Sequence, residues 1–154
     1  MSVYIFRDSD LNKPIERLIR RQDQKTRALW SAKCVEHVLH YCEKIRPGEE
    51  RPKKAIEAAR DWASGNISAG KAHDASILSH DAAMEAESLP VCMVARGAGH
   101  AAAIAEAKGH AIYSATYAVK AVFHSYEQDE NNLEVERERK WQLDLLQDMV
   151  IQAG

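Results

Sequence analysis

The sequence predicts an all-α fold, a single compact domain in which about six to seven helices form a bundle. Three observations predict it. Ala, Glu, Lys, Arg and Leu dominate the 154 residues and favour helix, whereas β-branched residues are sparse. Apolar residues recur at helical spacing through most of the chain. Residues that begin or end helices divide it at short intervals. A chain of this length buries roughly 70% of the surface that its unfolded form exposes.

The first ten residues are expected to form an N-terminal arm, and residues 11–154 the helical domain. Asp10 is suited to cap a first helix from Leu11 to about Arg21. A second helix is expected from about Asp23 to Ile45, and the Pro-Gly pair at 47–48 ends it. The buried stripe of this helix would include Ala28, Val35 and Cys42 at helical spacing.

Three further helices follow from proline and serine signals. Pro52 fits the first turn of a third helix over about 52–64. A fourth helix is predicted over about 68–87, after which Ser88 caps a fifth. Taken as one helix, the Ala-rich stretch Val91–Ala121 and its continuation would be unusually long for a compact domain.

Lys108-Gly109 is the expected break in this stretch, because a cation in the last turn followed by Gly ends helices. The prediction is therefore a fifth helix over about 89–107 and a sixth over about 109–126. A polar loop over 127–132 and a last helix over about 133–152 complete the chain.

The net charge of −2 is unevenly distributed along the chain. Residues 1–33 hold eight Lys/Arg against four Asp/Glu, whereas residues 127–154 hold three against eight. One interpretation is that the two ends pack side by side and compensate each other. The other is that one end contacts a partner of opposite charge.

Cysteine content and hydropathy predict a cytoplasmic protein. The chain has three cysteines, Cys34, Cys42 and Cys92. An odd number without the spacing of a metal site is typical of reduced thiols. The first ten residues contain no apolar run of signal-peptide length, and no segment approaches the ~20 apolar residues of a membrane span. The acidic balance and the absence of a recognition motif argue against nucleic acid as a partner. We therefore expect neither membrane nor nucleic-acid binding.

Two His-Asp pairs, His73-Asp74 and His80-Asp81, lie seven residues apart on the fourth helix. This spacing puts both histidines on one face, but a metal held by one helix would stay open to water. Solvated or partly buried histidines are the simpler expectation. Zinc, phosphate-loop, dinucleotide and nucleophile-elbow motifs are absent from the sequence, so neither a cofactor nor a catalytic residue is assigned.

Polar and aromatic residues form three lines, on the second, fifth and sixth helices. On the sixth helix they fall near a heptad spacing, opposite an apolar face. If the three lines converge, they form a cleft with the chemistry of a protein interface, a small-molecule pocket or an internal polar network. The candidate cleft residues are Trp30, Glu36, His37, Tyr41, Arg96, His100, His110, Tyr113, Tyr117 and Lys120.

Several segments of these helices carry a family resemblance. They are WSAKCVEHVL at 30–39, RPKKAIEAARDW at 51–62, AGHAAA at 98–103, GHA at 109–111 and AVKA at 118–121, followed by Glu138 and Trp141-Gln142. Over about 26–146 the chain resembles a family of small all-helical bacterial proteins called putative immunity proteins, immunity family five-like. The matching positions include Trp30, Glu36, His37, Arg60, Trp62, His100, His110 and Lys120.

The resemblance implies an antidote that binds and blocks a cognate protein toxin without catalysis. Because antidotes often oppose the charge of their target, Glu134, Glu136 and Glu138 in the acidic C-terminal end are the candidate partner surface. The alternative is a metal- or small-molecule-binding protein, including a hydrolase, that uses the cleft with His37, His100 and His110 as ligands or acid/base groups. Enzymatic activity and a homodimer both remain open at this point.

Overall fold

The computed structural model describes residues 5–126 and 131–153, in which seven α-helices follow one another and no strand occurs. The predicted all-α, single-domain bundle is confirmed. Within the described residues, no helix is both long and apolar enough to cross a membrane. The helices are α1 (Asn12–Ile19), α2 (Gln24–Ile45), α3 (Arg51–Ala63), α4 (Ala69–Glu85), α5 (Leu89–Ala103), α6 (His110–Ser125) and α7 (Asn131–Ala153).

Helix α5 lies at the centre of the bundle, where α2, α3, α4 and α6 all pack against it. Most of its buried residues are Ala or Gly, which let the neighbouring helices approach closely. At Gly97 a methyl group would lie 3.2 Å from Val35 Cγ2 and 3.3 Å from the Ser114 carbonyl oxygen. Three buried serines on α4 and α6 donate hydrogen bonds to α5 carbonyls: Ser76 to Gly99, Ser79 to Ala95 and Ser114 to Gly97.

Three helices begin at side-chain caps. Asp23, Ser68 and Ser88 accept hydrogen bonds from backbone N–H groups three residues further along, at the starts of α2, α4 and α5. The predicted cap at Asp10 is wrong. Helix α1 begins at Asn12, so its N-cap residue is Leu11, whose side chain cannot cap the helix.

The break in the Ala-rich stretch is longer than predicted. Helix α5 ends at Ala103, and α6 begins at His110, directly after the predicted Lys108-Gly109 stop. Between them the chain turns, and two side chains of α2 hold the turn. Gln24 donates to the Ile104 carbonyl at 2.5 Å, and the buried Arg27 donates to the Lys108 carbonyl at 3.2 Å. This turn places His110 beside the end of α5.

The two ends of the chain pack together, since α1 lies against α7. The ends therefore lie side by side, as one of the two interpretations of the charge distribution expects. Among the described residues, the ion pair that joins them takes its acid, Asp8, from the basic end and its base, Arg139, from the acidic end, 2.7 Å apart, so it does not itself offset the excess charge of either end. Residues 127–130 of the predicted polar loop lie outside the described residues, and α7 begins at Asn131, earlier than expected.

Candidate functional site

Three histidines from three helices form one group, here called the histidine cluster: His80 on α4, His100 on α5 and His110 on α6. The Nδ1 atoms of His100 and His110 lie 2.8 Å apart, which is hydrogen-bonding distance. The ring of His80 meets that of His100 edge-on, with centroids 5.0 Å apart. His80 also lies over Gly99, where a methyl group would come within 2.6 Å of its ring. The glycine therefore makes room for the cluster.

Aromatic residues of α6 extend the histidine cluster along the surface. Tyr117 stacks on His100 with ring centroids 5.4 Å apart, and Tyr113 lies 5.6 Å from the same ring. Tyr113 is well exposed. Beyond them, the Lys120 ammonium sits over the rings of Tyr117 and Phe6. The cluster thus continues into an exposed tyrosine and a cation.

The surroundings of the histidine cluster favour neutral imidazoles. Burial lowers the pKa of His100 to about 4, with further lowering by the charges of His80, His110 and Arg96. Burial is also the main cause that lowers the pKa values of His80 and His110. Neutral rings are also what a hydrogen bond between two imidazoles requires, since one nitrogen must accept.

A second polar site lies in a groove between α2, α3 and α7. His37 Nδ1 is 2.7 Å from Glu138 Oε2, and the His37 ring stacks flat on Trp141 with centroids 3.6 Å apart. Beside it Arg60 donates two hydrogen bonds to the Glu36 carboxylate, at 2.6 and 2.7 Å. The groove contains a cavity of about 560 Å³. Its lining residues are Lys33, Glu36, His37, Arg60, Trp141 and Leu145. Five residues that carry the family resemblance meet here.

Glu138 is buried at the base of this groove, with 8% of its surface exposed. Burial raises its pKa, while the hydrogen bond from His37 acts in the opposite direction. The structure thus places this candidate partner-surface residue under α2, where its carboxylate contacts His37. Of the other two acids, Glu134 forms an ion pair with Arg137, and Glu136 is exposed.

Trp30, a candidate cleft residue, is fully buried in the core. Its ring nitrogen donates to the Gln142 carbonyl of α7 at 3.0 Å. Tyr41 lies elsewhere again, in a cavity of about 550 Å³ that it lines together with His124 and Pro90. Burial and a hydrogen bond with Tyr126 raise the Tyr41 pKa.

The three predicted lines therefore do not form one cleft. The lines of α5 and α6 meet in the histidine cluster, whereas His37 and Glu36 lie in the α2–α3–α7 groove and Tyr41 in a third place. His80 was missed as a member of the cluster. Its only signal was the repeated His-Asp pair, which gave no indication of contact with His100.

Metal binding, one of the two forms of the alternative function, would need several ligands grouped around one ion. Across 5–126 and 131–153, no three His, Cys, Asp or Glu side chains are grouped so that they could hold an ion. His37 in particular belongs to a different site from His100 and His110. Cys34 and Cys42 are buried, and burial raises the pKa of both thiols, which leaves them poor nucleophiles.

Comparisons with known proteins identify the family. Searches of curated proteins and of solved structures found no match to the chain. The family model described as "Imm-5 like putative immunity protein" matches residues 17–149, which is most of the sequence and includes the histidine cluster and the groove. The chain belongs to this family of Imm-5 like putative immunity proteins.

Proposed function

We propose that this protein is a cytoplasmic bacterial antidote that binds a cognate protein toxin and neutralises it by occupying its surface, without chemical turnover. The observation that carries the proposal is the family match over residues 17–149. A preformed surface lowers the ordering cost of binding, and the four helices packed around α5 support such a surface.

The polar groups of the two sites favour binding over catalysis. His100 pairs with His110, His37 with Glu138, and Arg60 with Glu36, so each group already has a partner within the chain. A catalytic constellation would instead leave a nucleophile or base directed at a substrate position. Tyr113 and Trp141 add the aromatic side chains that commonly anchor protein interfaces.

The enzyme alternative rests on the His37–Glu138 pair, which resembles a base held by a carboxylate. Of this pair only His37 lines the cavity of the groove, and among the described residues that line the cavity with it none carries a hydroxyl or thiol. Toxin binding is therefore the function that the geometry supports better.

The experiment expresses the proteins encoded by the genes on either side of this one and takes as the toxin the one that arrests growth. Co-expression is expected to restore growth, and purified protein should inhibit the toxin with an end point of one antidote per toxin. A toxin encoded beside an unrelated immunity gene serves as the control and should not be inhibited. Complete inhibition by a small fraction of an equivalent would instead indicate turnover, and failure to bind the neighbouring toxin would contradict the proposal.

A further inference from the structure

Helix α4 has an inverted distribution of side chains. The residues that it buries are only Ala and Ser: Ala72, Ser76, Ser79, Ala82 and Ala83. Its large apolar residues point to solvent instead, with Ile77 46%, Leu78 51% and Met84 74% exposed. A surface helix normally buries its large apolar residues and exposes its polar ones. The folding of this domain does not explain why these three lie outside.

The three residues lie on one continuous surface with two acids. Ile77, Asp81 and Met84 follow at spacings of four and three, while Asp74 is one turn before Leu78. These five residues are here called the α4 outer face. Exposed apolar side chains set among charged ones are typical of surfaces that bind other proteins.

The charge of the α4 outer face indicates the kind of partner. In the part of the chain that the structure describes, the ion pairs of α4 join Glu85 to Arg51 and His73 to Glu106, and none involves Asp74 or Asp81. The two carboxylates are exposed and flank the apolar residues. A partner with basic residues around an apolar surface would complement them.

A second copy of this chain fits the α4 outer face poorly. If two α4 helices paired antiparallel about an axis between Ile77 and Leu78, Asp74 of each copy would face Asp81 of the other. In a parallel pair each aspartate would face its own counterpart. Both arrangements place like charges opposite one another, which is unfavourable at an interface.

The acidic surface of α7 is a weaker candidate for such a partner. Two of its acids are compensated on the same helix, the partly buried Glu134 by Arg137 and the exposed Asp144 by Lys140, and the two exposed acids without an ion pair among the described residues, Glu136 and Asp148, lie twelve residues apart. Its exposed apolar residues, Leu133 and Ile151, lie near opposite ends of the helix. Helix α4, by contrast, brings its apolar residues and uncompensated acids together within three turns.

We propose that the α4 outer face is the docking surface for the toxin, and that the toxin contacts it with an apolar patch surrounded by Lys or Arg. This inference rests on the proposed function. It names both the surface and the charge of the partner, and it replaces α7 as the main contact region.

The test measures binding of an inactivated form of the neighbouring-gene toxin by calorimetry. Met84→Ser with Ile77→Ser is expected to raise Kd by about tenfold or more, because buried apolar anchors dominate interface energies. Asp74→Lys with Asp81→Lys is expected to raise Kd and slow association, most strongly at low salt. Circular dichroism and the unfolding midpoint of each variant establish that it is folded.

Matched controls lie on α7. Ile151→Ser removes an apolar side chain that is 75% exposed, as Met84 is 74% exposed, and Glu136→Lys reverses an exposed acid. Both should bind like the wild type. Wild-type binding with no loss in the α4 variants would overturn this inference and leave the proposed function standing. No binding by the wild type would overturn both.

Discussion

The Nδ1 atoms of His100 and His110 lie 2.8 Å apart, a distance at which one nitrogen can donate a hydrogen bond to the other. If both rings were protonated, two N–H groups would point at each other. The contact therefore exists only while at least one ring is neutral. His80 and Arg96 increase the penalty, because each brings further positive charge toward His100.

We expect stability to fall on acidification because of this histidine cluster. The pKa of His100 is lowered to about 4 in the fold, and those of His80 and His110 are lowered too, whereas unfolded histidines titrate near pH 6.5. The unfolded chain therefore takes up protons first as the pH falls. The contribution is complete above about pH 7 and is lost toward pH 4, with a size on the order of 1–2 kcal/mol given the partial exposure of the rings.

Urea unfolding at about pH 7.5 and pH 5 measures this loss. A His100→Gln, His110→Asn double variant serves as the comparison and should show a smaller decrease. Glu138, whose pKa is raised in the fold, contributes in the opposite direction in both proteins, so the difference between them isolates the cluster. Equal pH dependence in the two proteins would contradict the assignment.

Replacing Gly97, Gly99 and Gly109 by alanine, one at a time, should change the free energy of unfolding by three different amounts. At Gly97 the methyl group would press on the Ser114 backbone, and we expect a loss of about 1–3 kcal/mol. At Gly99 it would displace only the His80 ring, which can rotate, so the loss should be smaller. At Gly109, with φ −65° and no atom within 4 Å, we expect a neutral effect or a gain of about 0.4–1 kcal/mol.

Free energies of unfolding of the three variants provide the check. The His80 ring signals in an NMR spectrum should move in Gly99→Ala and stay in place in Gly109→Ala. A destabilisation at Gly109 as large as that at Gly97 would show that the packing around α5 is described incorrectly.

Arg139 is expected to be essential for holding the N-terminal segment. Its side chain is 3% exposed and contacts Asp8, Thr116 and Gln142. Arg139→Ala leaves the buried amide oxygen of Gln142 without its donor and should cost about 1–3 kcal/mol. Asp8→Asn keeps an oxygen that accepts from Arg139 but leaves the buried guanidinium without its counter-charge, so it should also destabilise the fold.

Arg137→Ala is the matched control for Arg139, since Arg137 is 65% exposed and pairs with Glu134 on the surface. Its effect on unfolding by urea should stay within about 0.5 kcal/mol. Similar losses for the two arginines would be incompatible with the burial of Arg139.

Charge reversal should lower the free energy of unfolding much more at Glu138 than at Glu136. Glu138→Lys places a cation beside His37 in a buried position and is expected to cost more than about 3 kcal/mol. Glu136→Lys, at an exposed position, should change stability by less than about 0.5 kcal/mol. Chemical denaturation of both variants gives the answer, and a small effect at Glu138 would mean that the carboxylate reaches solvent.

Local signals predicted the helices well, because caps act over short distances. Ser88, the predicted cap of α5, binds an N–H group three residues away, so the sequence window that predicts a cap also contains its partner. Asp23 and Ser68, expected only as the approximate starts of their helices, cap α2 and α4 in the same way. The end of the break, just before His110, was also predicted correctly, because its signal, Lys108-Gly109, is directly adjacent to it. Its beginning at Ala103 was missed, since Gln24 and Arg27, which hold the turn, are on another helix.

Periodicity assigns residues to a helix face but does not show which element covers that face. Trp30 and His37 lie on the same line of α2. Trp30 is buried against α7, whereas His37 lies in the open groove between α2, α3 and α7. Glu138 was predicted as surface because its own helix is acidic, and His37 of α2 buries it. His80 joins His100 only through the packing of α4 on α5, which no spacing within one helix encodes.

Because α4 gives only Ala and Ser to the interior, its outward residues are free to change without repacking the domain. Substitutions at Ile77, Asp81 or Met84 alter the shape and charge of the surface and leave the contacts with α5 untouched. If the α4 outer face is the docking surface, as proposed, partner specificity and foldability depend on separate residues, and the scaffold keeps its packing while the surface changes.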